Sequence, residues 1–318
     1  MRHPFTILIS TYLLTILNPI KAQESKPKFT GETRVYNTVR TSNKPKIDGV
    51  LDDVCWNEGE WGGDFRQQLP TEGDRPSQQT KIKILYDNEN IYAAFKCYDT
   101  EPEKIDRHMA RRDEFSGDIV GVNFDSYHDR RTGFEFNITA AGSKIDLILT
   151  NNWSGGNIQG LELNWNPVWD GKVGKMDSGW IAEMRIPLSQ LRYSNEPVQV
   201  WGLHSWRWIN RFGEEDQWNL IPRDHAGALY HFGELHGLEN LPVLSRAEFM
   251  PYMVGKMKTY EAEQGNPFSD GHDPSIAFGI DGKFGIGSNF TVDYTINPDF
   301  GQVEADPSEL NLTAFETY

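Results

Sequence analysis

Residues 206–218, WRWINRFGEEDQW, set Arg207, Arg211, Glu214, Glu215 and Asp216 between Trp206 and Trp218. Guanidinium, carboxylate and indole groups in one stretch suit recognition of a polar ligand or partner domain, because charge-assisted hydrogen bonds give direction and aromatic faces give area. The same run also reads as a salt-bridged loop whose charges are solvated. Hydrolysis finds less support. Cleaving a glycosidic bond needs two carboxyls facing each other, one with a raised pKa, yet Glu114, Glu162, Glu183 and Glu214–Asp216 are scattered and nothing in the sequence pairs them. The eight His show no H-E-x-x-H spacing, and there is no Gly-x-Ser-x-Gly elbow. Binding is therefore the expected chemistry, and an enzyme is the least supported class.

Two smaller sets of residues leave alternatives open. Asp48, Asp52 and Asp53, and farther along Asp99 and Asp125, place hard oxygen donors near turns, which is the chemistry Ca²⁺ requires. Asp48 and Asp52 are the calcium candidates, with solvated turn carboxylates as the alternative. Cys55 and Cys97 make an even count, which in an exported chain invites a disulfide. In IYAAFKCYD, however, Ile91, Ala93, Phe95 and Cys97 alternate onto one strand face, so a buried free thiol fits equally. Two isolated thiols lack the paired spacing of a zinc site.

Export is expected from the first residues. Arg2, an uncharged apolar stretch from Phe5 to Ile20 and small Ala22 before Gln23 form a signal peptide over residues 1–22, too short and too interrupted by Asn18 and Pro19 for a good spanning helix. The net charge of −15 excludes a nucleic-acid surface and disfavours peripheral attachment to anionic lipid. Ten Trp, twelve Tyr and seventeen Phe beside 29 Gly and 17 Pro, without long helical periodicities, indicate an aromatic-rich β protein.

The elements that must carry these groups are short strands. A polar leader spans residues 23–43, and a strand-rich region spans 44–242. It opens with a turn at Asp48-Gly49 and a short helix beginning near Asp52 with Trp56 on its apolar side. TKIKILYDNENIYAAFKCYD is a hairpin whose turn, Asp87-Asn88-Glu89-Asn90, accepts positive φ angles. DIVGVNFDSYHDRRTGFEFNITAAG is a second hairpin, turning at Arg131-Thr132-Gly133. GWIAEMRIPLSQL is a strand ending at Pro187, VWGLHSWRWINR is a strand with Trp201 in the core, and HFGELHGL closes the region. Many short strands separated by turn signals describe a β-sandwich.

IDGVLDDVCW, LYDNENIYAAFKCYD, SGDIVGVNFDSY, WIAEMRIPLSQL and FGELHGL stand in the order found in family 9 carbohydrate-binding modules, which this region resembles. The resemblance implies a non-catalytic β-sandwich that binds a glycan or oligosaccharide, commonly holds calcium and is associated with polysaccharide catabolism. In that family two aromatic rings clamp the sugar, one before the D-x-V strand and one before the final F-G-x-L strand. Phe115 takes the first position, and Trp218 or Tyr230 is the candidate for the second. The family's acidic contact falls at Gly121, its basic contact at Glu135 and an amide at Trp206, so these three depart from the pattern.

Beyond residue 242 the character changes. In IAFGIDGKFGI and NFTVDYTIN, Ile276, Phe278 and Ile280, then Phe290, Val292, Tyr294 and Ile296, alternate with small or polar residues. Outer-membrane strands alternate in this way, and so does a half-buried ordinary strand. Residues 243–318 are similar to the start of the barrel in bacterial outer-membrane proteins that carry such a sandwich in front. The expected fold is all-β: an antiparallel β-sandwich followed by the first strands of an incomplete β-barrel. Expected locations are the periplasm or outer membrane. The alternative is a periplasmic plug domain that has lost sugar binding.

Overall fold

The computed structural model describes residues 33–150, 161–224, 227–242, 247–261, 271–286 and 290–298. The expected signal peptide and residues 299–318 lie outside these. In chain order the strands are β1 (Val35–Asn37), β2 (Val39–Arg40), β3 (Arg66–Leu69), β4 (Thr80–Tyr86), β5 (Asn90–Tyr98) and β6 (Ile119–Asp125). They continue with β7 (Gly133–Thr139), β8 (Lys144–Leu149), β9 (Leu161–Glu162), β10 (Asp170–Met176), β11 (Gly179–Pro187) and β12 (Val198–Ile209). The last are β13 (Glu214–Gln217), β14 (Gly233–Glu239), β15 (Ala247–Thr259), β16 (His272–Ile286) and β17 (Phe290–Ile296). Among the described residues helical structure is confined to short 3-10 turns, as at Val54–Asn57, where Trp56 is buried.

Two sheets form the sandwich. One runs β1-β14-β12-β6-β7-β8-β9 with β13 and β3 attached at β12, and the other runs β10-β11-β5-β4-β2. Between them Val120, Val122 and Phe124 of β6, Phe134, Phe136 and Ile138 of β7, Ile91, Ala93 and Phe95 of β5, and Trp201 of β12 make the main core. The strands' period of two puts these alternate residues on the inner faces.

Residues 35–40 belong to the sandwich and not to a leader. β1 pairs parallel with β14 and β2 pairs parallel with β4, so the chain steps from one sheet to the other within six residues. The polar composition that suggested a leader reflects strands at sheet edges.

Side-chain carboxylates shape the hairpins. Between β4 and β5, Asp87 Oδ1 accepts the backbone N–H groups of Glu89 and Asn90, each at 2.7 Å, and none of residues 87–90 has positive φ. The expected hairpin is present, but a carboxylate closes it rather than left-handed backbone. The β6–β7 turn begins earlier than expected. Asp125 accepts from the N–H groups of Asp129 and Arg130, and the positive φ angles fall at His128 and Arg130. Near the start of the sandwich, Glu183 on β11 accepts from Asp48 N, Gly49 N and Trp56 Nε1 at 3.1, 2.7 and 2.9 Å. Gly49 (φ +89°) passes so close to β10 that a Cβ would stand 2.6 Å from the Val173 carbonyl oxygen.

The charged run at 207–216 is not a solvated loop. Arg207 is fully buried between the sheets, where Nη1 donates to the carbonyls of Gln79 and Tyr98 and to Thr80 Oγ1. Arg211 forms a two-point pair with Asp99, and Glu214 accepts the Ser77 N–H at 2.7 Å. Buried between carbonyls, the guanidinium ties β12 to the opposite sheet, which a surface pair would not do.

Cys55 and Cys97 are both free and buried. Cys97 faces the main core, whereas Cys55 packs with Trp56, Leu85, Tyr92 and Ala94 on the outer face of the second sheet. The five-stranded sheet lies between them, and burial pushes the two thiols up to about 12 and about 11 respectively.

The three remaining strands form their own sheet, ordered β15-β16-β17. Register places Phe249, Pro251, Met253, Gly255 and Met257 opposite Gly282, Ile280, Phe278, Ile276 and Pro274, and Ile296, Tyr294 and Val292 opposite Ile280, Gly282 and Phe284. One face is thus apolar across all three strands, and Phe249, Met253, Met257, Ile276, Phe278 and Ile296 on it are exposed. Tyr294 lies over Gly282 on that face, while Tyr252 lies over Gly279 on the other. The outer edges of β15 and β17 have no strand partner among the described residues.

Candidate functional site

β6, β7 and β12 lie side by side, and the residues that alternate away from the core build a surface on the sandwich exterior. In register these are Ile119, Thr139 and Trp208, then Gly121, Asn137 and Trp206, then Asn123, Glu135 and His204. The first two rows border a hollow of about 410 Å³ lined by Phe115, Ser116, Gly117, Ile119, Trp206, Trp208 and Asn210. Its volume falls in the range of ligand sites, roughly 300–1,000 Å³. Phe115, 49% exposed, comes from the loop before β6.

Glu135 organises the floor beneath Trp206. It accepts from Asn123 Nδ2 at 2.5 Å, Asn137 Nδ2 at 2.9 Å and Trp206 Nε1 at 3.1 Å. Burial pushes its carboxyl up to about 7, against the lowering effect of these donors. Gly121 makes the arrangement possible. A Cβ there would stand 1.9 Å from Asn137 Oδ1 and 2.6 Å from Trp206 Nε1. The three departures from the family pattern are therefore one packed unit: a missing side chain at 121, an indole from 206 over the gap, and a carboxylate at 135 holding the indole. In the next row His204 stacks on Phe232 at 5.1 Å, and burial lowers its pKa to about 3.

Phe115 and Trp206 are the sequence candidates that meet at the hollow. Trp218 does not join them: it is 2% exposed, packed edge-on against Tyr36 with the Arg34 guanidinium over its ring. Tyr230 is 54% exposed, outside the lining of the hollow, and its ring lies by Arg130 of the β6–β7 turn. Glu135 lies at the N–H edge of the Trp206 indole and its carboxylate is committed to protein donors. Trp208, Ser116 and Asn210 complete the lining and were missed. A period-two signal for Trp208 was present, because 206 and 208 share a strand face that 201 does not.

The calcium candidates do not converge. Asp48 pairs with Lys46 at 2.9 Å and accepts the Val50 N–H, and Asp52 is exposed. Among the described residues no group of three or more His, Cys, Asp or Glu is placed to hold a metal ion. A second hollow, about 320 Å³, lies where Phe134, Trp165 and Arg192 approach Lys283, Phe284 and Asp293, and contains none of the candidate binding or metal residues.

Residues 47–231, more than half of the chain, match the family described as carbohydrate family 9 binding domain-like. The chain belongs to that family. Residues 243–318 match a domain of unknown function, DUF5916. Among solved structures, a family 9 carbohydrate-binding module from Caldicellulosiruptor kristjanssonii in complex with cellotriose is 18% identical and has a TM-score of 0.45, the match covering 64% of this chain and 93% of that one. The same source yields a module in complex with glucose, 17% identical with a TM-score of 0.45, covering 64% and 95%. A protein from Bacteroides uniformis ATCC 8492 is 13% identical with a TM-score of 0.48, covering 65% and 99%. No curated protein matches the chain.

Proposed function

We propose that this chain is a non-catalytic carbohydrate-binding protein, exported and held at the outer membrane through its C-terminal strands. The observation that carries the reading is the convergence of Phe115, Trp206 and Trp208 on one hollow of about 410 Å³. Apolar faces of pyranose rings stack on such surfaces, and Ser116 and Asn210 offer hydroxyl partners at its margin. Family membership supports the same reading. Titrating the full chain in detergent with plant and bacterial oligosaccharides tests it. Binding that Phe115→Ala abolishes supports it, and silence across the set sinks it.

The membrane part of the proposal is supported by the continuous apolar face of β15–β17 and by strands of 13 and 15 residues in β15 and β16. A tilted β-strand needs about 9–11 residues to span a bilayer. Residues 1–22 serve as the export signal in this reading, and cell fractionation checks it: recovery in the cytoplasm overturns it. A role beside polysaccharide breakdown follows as the setting for such a binder. One observation favours a plug or docking role instead, namely that Glu135 spends its acceptors on Asn123, Asn137 and Trp206 rather than on a sugar hydroxyl.

A further inference from the structure

We propose that the hollow selects a sugar carrying a positively charged amino group over neutral and acidic sugars. The inference deepens the carbohydrate-binding reading above and rests on it.

The orientation of the two indoles is the first observation. Trp206 Nε1 donates to Glu135 Oε1 at 3.1 Å, and Trp208 Nε1 donates to Asn210 Oδ1 at 3.2 Å. Asn210 Nδ2 in turn donates to Asp106 Oδ2 at 2.7 Å. Both N–H edges are thus committed to internal acceptors, and what the rings offer the hollow is carbon surface. A hydrogen bond from an indole N–H to a carboxylate, directly or through an amide, pushes electron density into the ring. That strengthens the negative face which attracts a cation, and Trp is the best of the aromatic residues for this contact.

The charges around the hollow point the same way. Glu215 pairs in register with Trp208 and so shares its face of the sheet. Together with Glu135 and Asp106 it places three carboxyl groups around the rings. Among the described residues no Lys, Arg or His lines the hollow. The two guanidiniums carried by this stretch are engaged elsewhere: Arg211 is paired with Asp99, and Arg207 is buried on the core side of β12. An acidic sugar therefore finds no counter-charge.

Hydrogen-bond supply separates a neutral sugar from a cationic one. Among the described residues, Ser116 and Asn210 are the polar side chains in the lining apart from the committed indole N–H groups. Gly121 contributes none, and the space above it is filled by Asn137 and Trp206. Neutral hydroxyls buried there without partners lose the hydrogen bonds they made to water. A cation over ring faces is held by a less directional attraction.

The test uses three β-1,4-linked tetrasaccharides titrated into the full chain in detergent at mildly alkaline pH, where Glu135 is ionised. One is a glucosamine oligomer made permanently cationic by N-trimethylation, the second is its N-acetylated twin, and the third is an oligomer of glucuronic acid. The N-trimethyl form should bind about tenfold more tightly than the N-acetyl form, with the glucuronate weakest. Glu135→Gln and Trp208→Leu should each move the ratio of the first two toward one. Because the ligand carries the change in charge, the comparison does not depend on any variant folding. Equal affinity for the N-trimethyl and N-acetyl forms, or a preference for the acid, overturns the inference and leaves a carbohydrate-binding protein. Silence toward these and toward neutral oligosaccharides removes the carbohydrate reading itself, and the inference with it.

Discussion

β5 in the sandwich and β16 in the C-terminal sheet both place apolar residues at every second position on one face, yet they end in opposite environments. Ile91, Ala93, Phe95 and Cys97 face the main core, while Tyr92 and Ala94 meet a second cluster with Cys55 and Trp56, so β5 is covered on both sides. On β16, Ile276 and Phe278 remain exposed. Alternation states which residues share a face. It does not state what covers that face, which depends on a second layer being within reach.

The largest expected effect separates these two regions directly. Trp201→Ala should cost the sandwich about 3–5 kcal/mol, because it empties a fully buried site, whereas Phe278→Ala should shift the same unfolding transition by less than about 0.5 kcal/mol in detergent. Denaturant titration followed by tryptophan fluorescence reads both. Equal losses would mean that the C-terminal sheet shares the sandwich core. Next, Phe278→Arg should weaken insertion into lipid vesicles by about 2–4 kcal/mol. Co-flotation with vesicles measures it, and unchanged flotation would refute the membrane role of that face.

A smaller change sharpens the contrast within the sandwich, between its packed interior and the packed floor of its outer site. Gly121→Ala should destabilise by about 1–3 kcal/mol, because the new methyl collides with Asn137 Oδ1 and the Trp206 indole. Red-shifted emission from a displaced Trp206 should accompany it, and an unaltered spectrum would argue against the packed unit.

The last effect is a dependence on pH. Glu135 has its folded pKa raised to about 7 from the ordinary 4.5, so between these values the folded state binds more protons than the unfolded one. Stability from this group is therefore lost as pH rises through that window. His204, lowered to about 3 from 6.5, acts in the opposite sense and costs stability as pH falls from 6.5 toward 3. Thermal melts of Glu135→Gln should show the decline between pH 4.5 and 7 flattened, with the acid-side loss kept. An identical profile to the parent would assign that decline to another group, such as Asp216, which burial and Glu214 raise to about 8.

Much of the architecture was legible because it is local. Period-two patterning in residues 80–98 and 119–139 marks two hairpins, Pro187 ends a strand, and the order of motifs marks a family 9 sandwich. Trp201, expected in the core, is there. What could not be read involves partners distant in sequence. The fate of Trp218 depends on Tyr36 and Arg34, more than 180 residues earlier, which bury it. Arg207 looks like part of a surface charge run until the carbonyls of Gln79 and Tyr98 close around it.

The sequence by itself determined that this is an all-β chain with aromatic groups suited to binding, since composition, alternation and turn residues act over a few neighbours. Only the tertiary structure decided which rings share a hollow, and that Gly121, Glu135 and Trp206 form one packed unit. Their contact depends on β6, β7 and β12 lying side by side in one register, a fact held by backbone ladders that pair residues as distant as Ile119 and Trp208.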